Sequence, residues 1–289
     1  MKIGVLFPQT EVGNDPTALR QVVAAAEALG FDYISLFDHV LGVSPDRPGG
    51  WDRPYTHRDA FHEVFVVLGF MAAVTTKIEL TTEVLVLPQR PAALVAKQAA
   101  EVAVLSRGRL RLGVGAGWND VEFVGMGASF EDRGVRMAEQ IEVLRALWRD
   151  EIVHFNGRWH DLDGVGIQPR PPGGSIPLWA GGRAPVALRR AARSADGWMS
   201  NLAPGQELDA ALAVLRAALA ECGRDPSTFG LAGRVALRRG TEKADLAARQ
   251  WQQQGASHLA IDASGMAFRG VAQMEAAAAF RDQLGSPNG

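Results

Sequence analysis

Along this chain short apolar runs alternate with longer segments whose apolar positions recur every three or four residues. The runs at 3–7, 32–37, 78–87, 109–115, 177–180, 197–200, 229–237 and 258–262 read as strands. Each is followed by a helix-period segment. The first starts at Asp15-Pro16, an acceptor side chain ahead of a proline at the first turn, carries the stripe Leu19, Val22, Val23, Ala26 and Leu29, and stops at Gly30. Later helices are expected at 58–74, 92–105 (stripe Leu94, Val95, Val102, Leu105), 130–148 (stripe Met137, Ile141, Leu144, Trp148), 185–194, 207–222, 243–254 and 271–284. Eight strand–helix pairs are the rhythm of an α/β fold of the (β/α)8 TIM barrel type, in which the carboxyl ends of the strands carry the chemistry.

Two stretches break the alternation. Residues 41–57 are rich in Gly, Pro and Asp and too long for a connector, so they are expected to form an active-site loop. Residues 151–176 form an insertion between helix four and strand five, with Asn156-Gly157 predicting a two-residue hairpin turn between 153–155 and 158–160. The expected organisation is one barrel domain over 1–285 and a flexible tail at 286–289.

Composition narrows the class. The chain has 289 residues, near the roughly 250 typical of such a barrel, and its net charge of -2 gives no reason to expect nucleic acid or an anionic membrane as partner. The longest apolar run, 65–74, is far short of the roughly 20 residues that span a bilayer. Cys222 is the only cysteine, which excludes an internal disulfide and makes a reducing, cytoplasmic location the expectation. His57, His62, His154, His160 and His258 show no common ligand spacing, so no metal site is expected.

Candidate chemistry lies at the strand ends. Asp38-His39 closes strand two with a polar step. Glycines cluster after strand four (Gly113, Gly115, Gly117) and after strand five (Gly181, Gly182, then Arg183), where they either turn tight corners or let backbone approach a ligand; a helix opening at Pro185 adds free N–H groups for an anion. Glu83 interrupts an otherwise apolar strand three, which implies a bulge or a carboxylate in the barrel mouth, paired to a basic neighbour or catalytic. Trp51, Trp118, Trp179 and Trp198 are candidates to wall an apolar pocket, whereas Trp148 and Trp251 are expected in helix packing.

The chain resembles the luciferase-like monooxygenase superfamily, particularly its deazaflavin (coenzyme F420)-dependent oxidoreductases. The resemblance rests on Gly30-Phe31-Asp32 through Asp38-His39, on 82–91, on 105–118, on 130–134, and on 177–183 with Ala195-Asp196-Gly197-Trp198. It implies a ring across the barrel mouth, against a bulge holding a non-prolyl cis peptide at Glu83–Val84. By the same resemblance Asp38 bonds the ring's pyrimidine end, His39 faces the reacting carbon or the substrate, and Gly181, Gly182 and Arg183 hold the cofactor tail near Ser200 and Asn201. Thr82, Glu83, Val84, Gly115 and Gly117 complete the implied cofactor site. Trp118 stands where the sugar-phosphate dehydrogenases of the family have a catalytic glutamate, so that substrate is not assigned.

The resulting expectation is an oxidoreductase that moves a hydride between the deazaflavin and a small organic substrate, with His39 as acid/base because an imidazole exchanges protons near neutral pH. An FMN-dependent monooxygenase of the same fold is the alternative, and a non-catalytic flavin-binding protein is a second one. The resemblance also implies a homodimer.

Overall fold

The computed structural model describes residues 1–285; the tail expected at 286–289 lies outside the described residues. Eight parallel strands are present: β1 Lys2–Leu6, β2 Tyr33–Leu36, β3 Glu79–Thr82, β4 Leu110–Gly115, β5 Leu178–Gly181, β6 Gly197–Met199, β7 Gly230–Ala236 and β8 His258–Asp262. Each pairs with its neighbours in sequence, β8 with β1, and the β3–β4 pairing Leu80↔Leu110 and Thr81↔Arg111 completes the ring. The fold is a closed (β/α)8 barrel. Around it lie α1 Pro16–Ala28, α2 Val64–Val74, α3 Ala92–Leu105, α4 Arg133–Arg149, α5 Pro185–Ser194, α6 Gln206–Glu221, α7 Thr241–Gln253 and α8 Val271–Leu284. Among the described residues no helix is long and apolar enough to cross a membrane.

Several expectations change for physical reasons. The α2 helix starts at Val64 rather than residue 58, because Glu63 is its cap, accepting from the Val66 N–H, while Asp59 is spent on the Thr56 backbone. The expected inward stripe of α3 is wrong at its ends: Leu94 and Leu105 are about half exposed, and the helix packs through Val95, Ala96, Ala99, Ala100, Val102 and Ala103, small side chains that allow close approach to the sheet. The insertion is a hairpin of Val153–Asn156 and Asp161–Val165, but its turn has four residues, closed by the Gly157 N–H donating to the His160 carbonyl. The Glu139 carboxylate on α4 decides this by accepting from the backbone N–H groups of Arg158, Trp159 and His160 and from the His160 ring.

The amino-terminal end of the barrel is plugged by stacked rings. The buried Arg111 guanidinium lies 5.1 Å from the Tyr33 ring and 4.4 Å from that of Trp179, and its Nε donates to Glu79 at 2.5 Å. Trp179 fits because strands β6 and β7 offer glycine beneath it; a Cβ at Gly197 or Gly230 would lie 2.5 or 2.0 Å from the indole. The His258 ring meets Trp179 edge-on at 4.8 Å. A cleft of about 530 Å³ opens below this plug, lined by Lys2, Asp32, Glu79, Arg109 and others that are tied to one another or to backbone, the pattern of a stability face.

Burial, then the Arg111 charge, pull the His258 imidazole down to about 4. The ring is therefore neutral in the fold, while in the unfolded chain it takes up a proton below pH 6.5. Stability is complete above that value and declines as pH falls toward 4, because the unfolded state binds more protons in this window. The urea midpoint should drop between pH 7 and pH 5, above the range where ordinary, exposed carboxylates titrate. In His258→Phe, which keeps a ring against Trp179, that drop should shrink; an unchanged pH slope would remove His258 as its source.

Candidate active site

At the carboxyl ends of the strands a cavity of about 790 Å³ opens. Its floor is set by a break in strand three: β3 stops at Thr82, the Glu83–Val84 peptide is cis, and extended pairing resumes at Leu85–Val86 against Val114 and Gly115. Val84 lies over the interior group of Trp179, Met199 and Ala232. Glycine suits its neighbours, since a Cβ at Gly115 would sit 2.4 Å from Val84 and force it aside, and one at Gly181, at 3.1 Å, would press on it. Gly117 and Gly182 have φ of 77° and 115°, so they turn the corners after β4 and β5. These elements leave a low apolar ledge across the barrel axis.

All the residues expected at this site line the cavity except one. Thr82 is fully buried in the strand, and its hydroxyl donates to the Gly113 carbonyl at 2.6 Å, tying β3 to β4 beneath the cavity. Glu83 points into the mouth. Its Oε2 accepts from Ser35 at 2.8 Å and its Oε1 lies 3.8 Å from Arg234, a pairing that leaves the arginine's donors largely unspent. Burial pushes the Glu83 carboxyl up, with Arg234 and Ser35 offsetting only part of the effect.

Asp38 borders the cavity, but both its oxygens brace the wall. Oδ1 accepts from Arg90 at 2.8 Å and Oδ2 from the Val86 N–H at 2.9 Å; Arg90 also reaches Glu63 at 2.7 Å. This ties the ends of β2 and β3 to the start of α2. Beside it His39 is 10% exposed, with Phe61 at 4.8 Å, Tyr55 at 5.2 Å and Trp118 at 5.6 Å around its ring. Its Nδ1 lies 3.1 Å from the Glu122 carboxylate, which leaves Nε2 as the ring nitrogen for the cavity.

Glu122 escaped the sequence reading. It sits on a short helix, Asp120–Gly125, whose cap is Asn119, and Glu122 Oε1 also accepts from the Val40 and Leu41 N–H groups at 2.5 and 3.2 Å. Burial would raise this carboxyl, but the hydrogen bond from His39 and those from Val40 and Leu41 outweigh it and hold the group below the ordinary range. The available signal was the cap spacing, Asn119 followed three residues later by Glu. Its partner, the His39 loop, is 83 positions away and only folding shows it.

The long loop covers this corner. Trp51 stacks on Trp118 at 6.0 Å, its indole N–H donates to the Tyr55 carbonyl, and Arg53 pairs with Asp120 at 2.6 Å. Of the four candidate wall tryptophans, Trp118 lines the cavity and Trp51 backs it. Trp179 and Trp198 are buried beneath.

The opposite side is cationic. Arg183 stands two-thirds exposed before the uncapped start of α5, its nearest carboxylate being Glu207 at 4.0 Å. Arg133 and the buried Arg190 line the same wall, and among the described residues neither has a carboxylate within ion-pair distance. Burial, then the Arg193 and Arg133 charges, lower the Arg190 guanidinium, a tension that an anion would relieve. Gly134 makes room for it, since a Cβ there would lie 2.6 Å from Arg190. Ser200 and Asn201 lie along the adjoining rim, the Ser200 hydroxyl accepting from the Leu202 N–H. The cavity thus combines an apolar ledge, an oriented imidazole and an unneutralised basic wall, which fits a flat ring with an anionic tail.

The family model described as luciferase-like monooxygenase matches residues 1–286. The chain belongs to the luciferase-like monooxygenase family. Within it, the chain is 36% identical over 224 residues to an uncharacterised protein of Mycobacterium tuberculosis, covering 75% of this chain and 77% of that protein. It is 33% identical over 201 residues to an F420-dependent glucose-6-phosphate dehydrogenase of Mycobacterium avium, 67% of this chain but 55% of that protein. Among solved structures, an F420-dependent secondary alcohol dehydrogenase in complex with an F420–acetone adduct superimposes with a TM-score of 0.77 over 96% of this chain and 97% of the other, at 20% identity, which is a likeness of fold.

If Glu122 organises the His39 corner, Glu122→Ala should cost about 1 to 2 kcal/mol in urea unfolding, because it removes the acceptor shared by two part-buried backbone donors. Glu122→Gln, which keeps a carbonyl acceptor for Val40 and Leu41, should recover most of that. Equal stability of the two variants and the unaltered protein would show that the carboxylate is not structural.

Proposed function

We propose that this family member is an F420-dependent oxidoreductase acting on a small organic substrate. The observation that carries the reading is the oriented His39 ring beside an apolar ledge, with a basic wall across the cavity in which Arg133 and Arg190 have no carboxylate partner among the described residues. F420 dependence of a relative that is 33% identical supports the choice of cofactor. Val84, Gly115, Gly117, Asp38 and Glu83 would border the ring, and Gly181, Gly182, Arg183, Arg133 and Arg190 the anionic tail, with Ser200 and Asn201 between them. When bound, the deazaflavin supplies a hydride at its ring carbon and accepts one in the reverse direction.

The chain's own residues do the rest. Trp51, Tyr55, Phe61 and Trp118 exclude water from the reacting corner. His39 Nε2 gives or takes the proton that accompanies the hydride, while Glu122 fixes the ring through Nδ1 and balances the imidazolium charge when it forms. Glu122 is thus a positioning residue.

Equilibrium titration should find the deazaflavin bound at least tenfold more tightly than FMN, a difference of about 1.4 kcal/mol or more, because the longer anionic tail reaches all three arginines. Equal or reversed affinities would favour the FMN-dependent monooxygenase. His39→Ala should leave cofactor affinity nearly unchanged and lower single-turnover rates by roughly 10² to 10⁴; full activity would take His39 out of the mechanism, and loss of binding with turnover would make it structural.

The same reading includes a homodimer. Val66 on α2 and Leu94 and Leu105 on α3 are exposed apolar side chains on neighbouring helices, and α2 is apolar on nearly every side. Light scattering at micromolar concentration should give twice the 31.0 kDa chain mass, and Leu94→Glu should shift it toward one; a monomer in the unaltered protein would end this part of the proposal.

A further inference from the structure

Beside the main cavity, at the carboxyl ends of β1, β7 and β8, lies a second chamber of about 270 Å³. The two share Phe37, Tyr55 and Arg234 as a common wall. The side chamber is too small for the ring and too polar for a merely apolar group. At liquid density its volume holds roughly nine waters, the size of a small polar head.

Besides the hydroxyls of Thr10, Tyr55 and Ser264, two guanidiniums and one carboxamide in its wall have unspent hydrogen-bonding capacity. Arg234 stacks over Phe37 at 5.1 Å and has only the distant Glu83 as counter-charge at 3.8 Å. Arg238 gives Nη1 to Asp262 at 2.9 Å and is 46% exposed, so its other donors remain free. Gln9 is 2% exposed; its Nε2 donates to the Phe37 carbonyl at 2.7 Å, while its Oε1 is buried with no hydrogen-bond partner. Such an orphan acceptor costs about 1 to 3 kcal/mol unless something donates to it. Asp262 is occupied at both oxygens, by Arg238 and by the Ser264 N–H, and Glu11 by Gly265, Gln273 and Arg269. The acidic groups of the chamber are therefore engaged, and what is left over is two guanidinium faces, the Gln9 acceptor and the hydroxyls of Thr10, Tyr55 and Ser264.

We propose that this chamber is the substrate's recognition subsite and that it takes a small carboxylic acid with a hydroxyl beside the acid group, the carboxylate lying between Arg234 and Arg238 and the hydroxyl donating to Gln9. The inference rests on the oxidoreductase reading for its meaning, since the shared wall of Phe37, Tyr55 and Arg234 places the head of such a substrate next to the reacting corner at His39. Arginine suits a carboxylate because its planar donors match the two oxygens. With its hydroxyl proton given to Gln9, this head serves recognition, and the carbon that exchanges hydride lies farther along the substrate, past the shared wall and toward His39.

The test uses the full chain without cofactor and reads binding by calorimetry. Mandelate, a 2-hydroxy acid, should bind at least tenfold more tightly than its neutral amide and than phenylacetate, which lacks the hydroxyl. Arg238→Gln, at a half-exposed position that tolerates change, should abolish the preference for mandelate over the amide. Gln9→Met, which keeps the side-chain volume, should abolish the preference over phenylacetate alone. Equal binding of the three probes, or preferences unchanged in both variants, overturns the assignment, as does stronger competition by inorganic phosphate than by phenylacetate. Deazaflavin titration of Arg238→Gln separates the two readings. Unaltered cofactor affinity with the probe preference lost supports the subsite, whereas a protein that binds the probes as expected but no deazaflavin keeps the subsite and removes the oxidoreductase.

Discussion

The cavity depends on the contact between Val84 and the two glycines beside it. A barrel of this size is normally filled by layers of side chains to its rim. Here the filling stops at Val84, because Gly115 and Gly181 bring no side chain to the layer above Trp179, Met199 and Ala232. A methyl group at either glycine would displace Val84 or distort its strand. The flatness of the floor therefore follows from three positions on three strands, and the mouth gains its open volume because those positions stay small.

Buried carboxylates organise what stands around that floor. A charge taken out of water is tolerated only when hydrogen bonds and counter-charges replace the solvent. Asp38 meets this condition with Arg90 and the Val86 N–H, Glu122 with His39 and two backbone donors, and Glu139 with three backbone donors and His160. Each ties a loop to a regular element, so the irregular segments at the mouth are held in place by the need to satisfy a charge. The two ends of the barrel divide the work accordingly. At the amino-terminal end Arg111 gives Nε to Glu79 and lays its guanidinium on the Tyr33 and Trp179 rings, closing that end with packed groups, whereas at the carboxyl end Arg133, Arg190 and Arg234 face an open cavity with capacity that a ligand can use.

The barrel was legible from periodicity alone, since parallel strands buried on both faces read as short apolar runs and their covering helices as three-to-four-residue repeats. Strand eight and helices five and eight were delimited at the residues observed, because proline, glycine and capping side chains act locally. The Asp38-His39 step, the break at Glu83 and the glycine clusters were also visible, being departures from a local pattern. Two ends were misread: the turn at 157–160 answers to the distant Glu139, and the start of α2 to Glu63, a local cap whose carboxylate is also held by Arg90 from 27 positions away.

The sequence by itself determined the fold class, the number of strand–helix pairs and which loops lie at the mouth, since these follow from side-chain periodicity and from backbone conformations set within a few residues. Tertiary structure alone decided the partners. It set the Thr82 hydroxyl on the Gly113 carbonyl and Asp38 on Arg90, and brought Glu122 to His39 across 83 positions. It also collected Gln9, Arg234 and Arg238 around one chamber. The reason is physical: whether a polar group is free for a ligand depends on which partner reaches it in space, and closing the barrel joins segments that nothing along the chain connects.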